Sequence, residues 1–545
     1  MTLPNPALVS QQAVQRLPRL ALVLLCAAYV LPGLFGRDPW KNADLTSFGY
    51  MVNIAQGKAS WLHPTIAGLP VDTAALPHWL GAAFIAVLSP WIDPALAARL
   101  PFAGLLALTL TLTWYGCFHL ARSDAAQPLP FAFGGEANTV DYARAIADGA
   151  LLAMIATLGL LQLGHETTPE LAQLCASALF LWGLAAAPHG TGKARVAVAL
   201  ALPVLSASGA PAMAVGMGLW GTWVHWHRRS SARGFWQWTA LAAILAAVAG
   251  WVFGTWAYRW YFIANFIQLK QLARLFLWFL WPAWVLALWT LWRWRKHWTQ
   301  PHLALPLGMM AIAIAACVTM GGSDRALMIG LPATASLAAF ALPTFKRSTS
   351  AAIDWFSVFF FTSVAVFAWV MYLAMQTGFP ARPAANVARL APGFKPVFSL
   401  PELLAALAAT VAWLWLVRWR TGRHRHALWK SLVLPASGVA LCWLLVMTLW
   451  LPIIDYDRSY RPWVARVARH VKPDECISAQ GFPRAPLAAL EYFGGYRVDA
   501  RLDTPPEICP VMMLPGQELP PPGWRLVARE RRPTDRYELT SMYRR

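Results

Sequence analysis

Repeated apolar runs of about 20 residues most constrain how this chain can fold. A run of that length is what a helix needs to cross a bilayer, where a helix satisfies its own backbone hydrogen bonds. Of the 545 residues, 58% are hydrophobic and only 13% are charged, whereas soluble proteins are about 25% charged. The sequence therefore predicts a polytopic α-helical membrane protein. The predicted spans cover roughly 18–36, 75–93, 98–120, 147–163, 171–188, 194–208, 211–226, 235–256, 273–293, 303–319, 326–344, 353–376, 399–418 and 431–452.

The formal net charge of +20 comes mainly from short connections between the apolar runs, so it does not indicate nucleic-acid binding. Basic residues cluster at every second connection, within 225–229, 293–296, 346–347 and 418–425. Cytoplasmic loops of membrane proteins carry such an excess of Lys and Arg. These four connections are therefore predicted to be cytoplasmic, and the intervening ones to face outward.

The number of spans follows from where the two ends of the chain lie. Arg16 and Arg19 precede the first run, which predicts an anchor with a cytoplasmic N-terminus. Fourteen spans would leave the tail inside, whereas the basic loops place it outside. About thirteen transmembrane helices are therefore predicted, with one segment between 75 and 210 short, re-entrant or merged with its neighbour.

The C-terminal part of the chain differs in composition from the rest. Residues 453–545 contain no spanning run and are rich in Pro, Arg and acidic residues. They predict a small soluble α/β domain that faces the periplasm and follows a membrane domain of residues 1–452. Cys476 and Cys509 both lie in this polar segment and form a possible disulfide, provided that the compartment is oxidising.

A polar island directly after the first apolar run is the strongest candidate site. Within 37–73 it contains Arg37, Asp38, Lys41 and Asp44. Carboxylates at a membrane boundary are costly unless they have a role, and a carboxylate can act as a general base. The alternative for Asp44 is a simple helix cap. Trp61 and His63 follow in the same island as candidate substrate-binding residues, although an interfacial packing role also explains them.

A second acidic motif contains His165, Glu166 and Glu170. These side chains are candidates to position an acceptor or a metal. The alternative is a helix start, with Thr168 as N-cap and Glu170 in the first turn. Arg325, at the head of a later helix, is a candidate phosphate-binding residue because helix N-termini favour anions.

Three stretches of the first 100 residues resemble the family-39 glycosyltransferases, which include the protein O-mannosyltransferases and the bacterial aminoarabinose–lipid A transferases. The stretches run from Gly57 to Pro70, from His78 to Leu80 and from Ala98 to Pro101. The resemblance implies a GT-C-like membrane fold in the bacterial inner membrane, with a periplasmic active face. It also implies inverting transfer of a sugar from a polyprenyl phosphate carrier to a lipid, glycan or protein acceptor.

In that family a loop carboxylate serves the transfer, and Asp44 occupies its position here because Phe48 follows four residues later. Asp38 is a second candidate. The family's neighbouring Glu and Arg are replaced by Leu45 and Ser47. Cationic help for the phosphate leaving group is then expected from Lys41, Arg37 and Arg325, or from a divalent metal. The alternative function is a non-catalytic transporter, flippase or scaffold for envelope lipids.

Overall fold

The computed structural model describes residues 6–227, 234–256, 266–421, 427–535 and 537–545. Most of these residues are helical, and a small sheet lies near the C-terminus. Four arginines of the predicted cytoplasmic connections, Arg228, Arg229, Arg423 and Arg425, lie outside the described residues.

The α-helices of the described residues are labelled in chain order. The first eleven are α1 Arg19–Val30, α2 Ala43–Ala55, α3 Leu76–Leu88, α4 Pro94–Ala121, α5 Thr139–Ala156, α6 Leu158–Leu163, α7 Pro169–Ala186, α8 Thr191–Ala207, α9 Pro211–His227, α10 Phe235–Val252 and α11 Phe266–Phe279. The others are α12 Ala283–Arg293, α13 Pro301–Thr319, α14 Asp324–Met328, α15 Leu331–Ala339, α16 Arg347–Thr377, α17 Ala381–Leu390, α18 Leu400–Thr421, α19 Lys430–Leu449, α20 Leu451–Arg458, α21 Arg461–Val467 and α22 Arg484–Gly494. Short 3₁₀ helices cover Gln11–Val14, Asp124–Ala126, Arg295–His297, Leu342–Thr344 and Pro506–Ile508.

Seven helices of the described residues are long and apolar enough to cross a membrane: α4, α7, α10, α13, α16, α18 and α19. The pair α11–α12 makes an eighth if it is one span, although its two parts are bent by 87°. The chain is a multi-pass membrane protein, as the sequence predicts. The count of about thirteen spans stays a prediction, since several shorter apolar helices could complete it.

Three predicted spans are wrong as single helices, and the breaks of two of them meet each other. The predicted span 326–344 divides between α14, which ends at Met328, and α15, which begins at Leu331. The predicted span 273–293 divides between α11 and α12 at Pro282, because proline cannot donate a helical hydrogen bond. The predicted span 147–163 divides between Ala156 and Leu158. The backbone N–H of Leu158 donates to the carbonyl of Trp281 at 3.0 Å. This hydrogen bond pairs a backbone group at one break with a backbone group at the other.

The chain divides into two compact units, each built from several segments. The first contains residues 1–32, 103–365 and 406–445, and the second contains 33–102, 366–405 and 446–545. The second unit thus includes both the polar island and the C-terminal segment. The domain boundary between 452 and 453 stays a prediction from composition.

The second unit contains both sheets of the described residues, and the sheet after residue 475 confirms the predicted small C-terminal fold. The strands are β1 Thr65–Ile66, β2 Leu69–Pro70, β3 Cys476–Ser478, β4 Arg497–Asp499, β5 Val511–Pro515, β6 Arg525–Arg531 and β7 Leu539–Arg544. β1 and β2 form a short antiparallel hairpin. The five-stranded sheet has the order β4-β3-β5-β7-β6, with β3 parallel to both β4 and β5 and the other pairs antiparallel. Cys476 and Cys509 are joined in a disulfide.

Helix α22 of this C-terminal fold packs directly on α2. A Cβ atom at Gly49 would lie only 2.6 Å from that of Ala488, so the two helices approach this closely because residue 49 is glycine. The rings of Phe48 and Tyr492 pack edge to face at 4.7 Å. Asn53 adds a hydrogen bond of 2.8 Å to Oε2 of Glu491. These contacts hold the helix that carries Asp44 against the C-terminal fold.

Candidate functional site

Asp44 lies in the first turn of α2, in a buried ion pair. Its Oδ2 atom accepts hydrogen bonds from Nη2 of Arg37 and from the backbone N–H of Trp40, each at 3.1 Å. The side chains of Arg37 and Asp44 are 0% and 1% exposed. A carboxylate in the first turn also benefits from the positive end of the helix dipole. Asp44, the predicted catalytic carboxylate, and Arg37, a predicted phosphate-binding residue, therefore form an ion pair with each other.

A second arginine supports the same loop from α4. Arg99 is buried, and it donates to the carbonyl of Leu34 at 3.2 Å and to that of Arg37 at 2.5 Å. The guanidinium carbon of Arg37 also lies 4.5 Å from the ring centre of Trp40, within the range of a cation–π contact. Two buried guanidinium groups thus lie near the carboxylate of Asp44. In the sequence, Arg99 stands out only as part of the stretch from Ala98 to Pro101.

Asp38 is bound by residues near the C-terminal fold. Its carboxylate accepts from Nε and Nη2 of Arg461 at 2.9 and 2.6 Å, and from the hydroxyl of Ser459 at 2.8 Å. The Arg461 side chain is 62% exposed, whereas that of Asp38 is 14% exposed. Arg461 is therefore a cation that solvent and a ligand can reach.

Asp455 completes this cluster, and sequence reasoning missed it. Its Oδ1 atom accepts from the backbone N–H of Asp38 at 2.9 Å and from Nε1 of Trp40 at 3.0 Å. Burial, followed by the nearby charge of Asp38, raises the pKa of Asp455 to about 6. The sequence does contain a signal for this residue: Asp455 is a carboxylate shortly after the last apolar run, as Asp44 is after the first one.

Lys41 lies in the same loop and has its own acidic partner. Its Nζ atom is 3.7 Å from Oδ2 of Asp535. Asp535 also accepts from Arg532, which is buried and donates to Oε2 of Glu538 at 2.7 Å and to the carbonyl of Asp457 at 2.8 Å. Lys41 thus connects the loop to the segment between β6 and β7.

Trp61 and His63 lie between α2 and the β1–β2 hairpin. Trp61 is 44% exposed, and its carbonyl accepts from Nε1 of Trp79 at 2.6 Å. His63 is exposed. Both side chains are therefore accessible, which suits either interfacial packing or contact with a substrate.

The second acidic motif lies in the first unit, where it binds Arg325. Nη2 of Arg325 is 2.5 Å from Oε2 of Glu166, and Nη1 is 3.2 Å from Oε2 of Glu170. The same Nη1 donates to the hydroxyl of Thr168 at 3.0 Å. The structure therefore brings together three residues that were predicted separately. Thr168 is also the N-cap residue of α7, so the predicted helix start is present too.

His165 has both ring nitrogens next to backbone carbonyls. Nδ1 is 2.7 Å from the carbonyl of Leu161, and Nε2 is 2.8 Å from that of Tyr29. A carbonyl can only accept, and a neutral imidazole has one N–H donor. The ring is therefore held by backbone groups on both sides.

In the described part of the chain, no cluster of ligands supports the predicted divalent metal. There, no three or more His, Cys, Asp or Glu side chains are grouped so that they could hold a metal ion. The cationic groups beside the candidate carboxylates are arginines.

Two solved structures of ArnT from Cupriavidus metallidurans match this chain over nearly its whole length. The apo structure matches with a TM-score of 0.58 and 14% identity, and the structure bound to undecaprenyl phosphate matches with 0.59 and 13%. Each match covers 96% of this chain and 96% of that chain.

The chain has the fold of ArnT. The fold that its first 100 residues imply by resemblance is therefore confirmed over the full length. No family model matches the sequence, and no curated protein matches it. The likeness to ArnT is thus one of architecture at low sequence identity.

Proposed function

We propose that the chain is a membrane glycosyltransferase that uses a polyprenyl-phosphate-linked sugar. The observation that carries this proposal is the match, over 96% of both chains, to ArnT bound to undecaprenyl phosphate. The acceptor is a lipid, glycan or protein of the cell envelope, and the reaction takes place on the periplasmic face of the inner membrane.

The acidic loop supplies the groups that such a transfer needs. The bond between the anomeric carbon and the phosphate oxygen breaks, and its electron pair leaves with the phosphate. The acceptor oxygen forms the new bond to that carbon and loses its proton to a carboxylate, with inversion of configuration. Asp44 is our candidate for this carboxylate, with Asp38 as the second choice.

Arginines stabilise the charge of the leaving phosphate in this proposal. Arg37 and Arg99 lie at the loop, and Arg461 presents an exposed guanidinium beside Asp38. Arginine binds phosphate through two parallel N–H donors. A phosphate that displaced Asp44 from Arg37 would release the carboxylate for the acceptor, and it would have to open the buried pair to do so.

One observation favours a second candidate function, a non-catalytic scaffold, transporter or flippase for envelope lipids. Asp44 is 1% exposed, and its Oδ2 atom is bound by Arg37 and by a backbone N–H. Leu45 and Ser47 also stand where the family has Glu and Arg. A buried ion pair of this kind serves structure without any chemistry.

Mass spectrometry of envelope lipids and glycans distinguishes the two functions. The comparison uses cells that produce the wild-type protein, Asp44→Asn, Asp38→Asn or the exposed control variant Asp474→Asn, and cells that lack the protein. We expect a sugar-modified product to disappear without the protein and in Asp44→Asn, at equal amounts of folded protein, and to persist in Asp474→Asn. A product that depends on the protein but persists in both loop variants would favour the scaffold.

The predicted orientation has a separate test by cysteine labelling. Asp474→Cys in the tail should react with a membrane-impermeant thiol reagent added outside the inner membrane. Lys296→Cys, in a predicted cytoplasmic connection, should react only after the cells are opened. Both positions are exposed, so accessibility does not limit either reaction. The reverse pattern would show that the tail faces the cytoplasm.

A further inference from the structure

A cavity in the first unit has a polar lining that consists mainly of one arginine and three histidines. It has a volume of about 340 Å³ and lies where α4, α7 and α9 end and α13 begins. Its polar lining includes Arg122, His119, His189 and His225, against one carboxylate, Asp124. The volume falls within the range of pockets that take small molecules.

Two histidines beside Arg122 contribute ring nitrogens to this lining, and one nitrogen of His189 is hydrogen-bonded to the backbone of His119. The rings of His119 and His189 stack with their centres 5.2 Å apart. Nδ1 of His119 is buried, and it has no hydrogen-bond partner among the described residues. Buried polar atoms are almost always paired, so this atom is a position where a partner is expected.

His225 is fixed in place and therefore shapes the cavity. Its Nδ1 atom lies 2.9 Å from the carbonyl of Gly221, and its ring packs against Phe235 at 5.0 Å between centres. The rest of the wall is largely apolar and includes Leu184, Val224 and Leu305. A ligand with one charged group and one apolar part fits such a lining.

The cavity is at the end of the first unit where the N-terminal segment lies. The segment that follows Arg122 hydrogen-bonds to that N-terminal segment, with the N–H of Ala137 donating to Val9 and the N–H of Gln11 donating to Gly135, each at 3.0 Å. The basic-loop pattern predicts that the N-terminus is cytoplasmic. The cavity would then open toward the cytoplasmic side.

We propose that this cavity binds a phosphate group that carries an apolar portion. Arg122 supplies a permanent positive charge in a fork that fits phosphate oxygens, and His119 beside it has a ring nitrogen with no hydrogen-bond partner among the described residues. The phosphate comes either from a lipid headgroup or from a soluble phosphate ester. The site consists of residues that the proposed transfer does not use, so it is independent of that proposal.

Binding is tested with the purified full chain in a phosphate-free detergent. Inorganic phosphate and short-chain phosphatidic acid are the two probes, and sodium chloride at equal ionic strength is the control. We expect either probe to raise the thermal unfolding midpoint. Phosphatidic acid acting at much lower concentration would identify a lipid source, whereas equal effects of the two probes would identify a soluble one.

Two variants assign the effect to the cavity. Arg122→Gln should weaken probe binding about tenfold or more, because a charged hydrogen bond to the ligand is lost. His189→Gln, at an exposed position, should weaken it in the same direction. Lys193→Gln, an exposed cation that is not part of the cavity lining, should leave binding unchanged. Absence of any midpoint shift in the wild type, or equal shifts in all three variants, would overturn the proposal.

Discussion

The buried ion pair of Arg37 and Asp44 allows a quantitative test of how the acidic loop is held. Their side chains are 0% and 1% exposed, so neither charge can be hydrated in place. Asp44→Asn would remove the negative charge that pairs with the buried Arg37 guanidinium. Removing one partner of a buried pair costs about 3–5 kcal/mol of folding free energy. We therefore expect Asp44→Asn and Arg37→Gln each to lose an amount of that order.

An exposed pair in the same unit provides the control. Arg501 contacts Asp499 at 2.7 Å, but their side chains are 50% and 21% exposed. Exposed pairs contribute about 0–1 kcal/mol because water and salt screen them. Arg501→Gln should therefore have little effect, although it removes a shorter ion contact than Arg37→Gln does.

Denaturant unfolding of the purified protein in detergent measures these differences. The double variant Asp44→Asn/Arg37→Gln should be more stable than the sum of the two single losses predicts, because both variants disrupt the same ion pair. A loss in Asp44→Asn no larger than that in Arg501→Gln would refute the reasoning. It would mean that water reaches the pair, and the case for a purely structural role of Asp44 would weaken with it.

Three further predictions concern the second unit. The pKa of Asp455 is raised to about 6 in the folded protein, against 3.8 for an unperturbed carboxyl. The folded state therefore binds more protons than the unfolded state between these pH values, and wild-type stability should fall as the pH rises through 6. Asp455→Asn should flatten that part of a plot of unfolding midpoint against pH. Cys476→Ser should lower the unfolding free energy by about 2–4 kcal/mol, and a reducing agent should lower the midpoint of the wild type but not of this variant. Gly49→Val should cost about 1–3 kcal/mol by forcing α2 away from α22, whereas Gly104→Ala, where a Cβ meets nothing within 4 Å, should cost nothing in the same assay.

Local signals in the sequence were sufficient for the elements that depend on neighbours along the chain. The apolar runs predicted the spanning helices, and the change in composition at residue 453 predicted the small sheet. Arg37 and Asp44 are only seven residues apart, so the sequence alone already places them in the same loop. Periodicity could not show that the predicted spans 147–163 and 273–293 break, because a hydrogen bond between Leu158 and Trp281 joins the two breaks.

The partners of the candidate site residues were harder to predict, because they are distant in sequence. Asp38 contacts Arg461, 423 residues away, and Arg325 contacts Glu166, 159 residues away. Nothing in a single sequence records such a pairing. Arg325 was therefore assigned to a phosphate, although its nearest partners in the structure are two glutamates and a threonine.

The dependence of Asp38 on residues 455–461 bears on how this protein can be engineered. A shortened chain that stops after the last spanning helix would keep every predicted membrane crossing, yet it would remove Asp455, Ser459 and Arg461. The loop that contains Asp38 would then lose the groups that hydrogen-bond to it. Exchange of the tail with that of a homologue should succeed only when the loop is exchanged along with it.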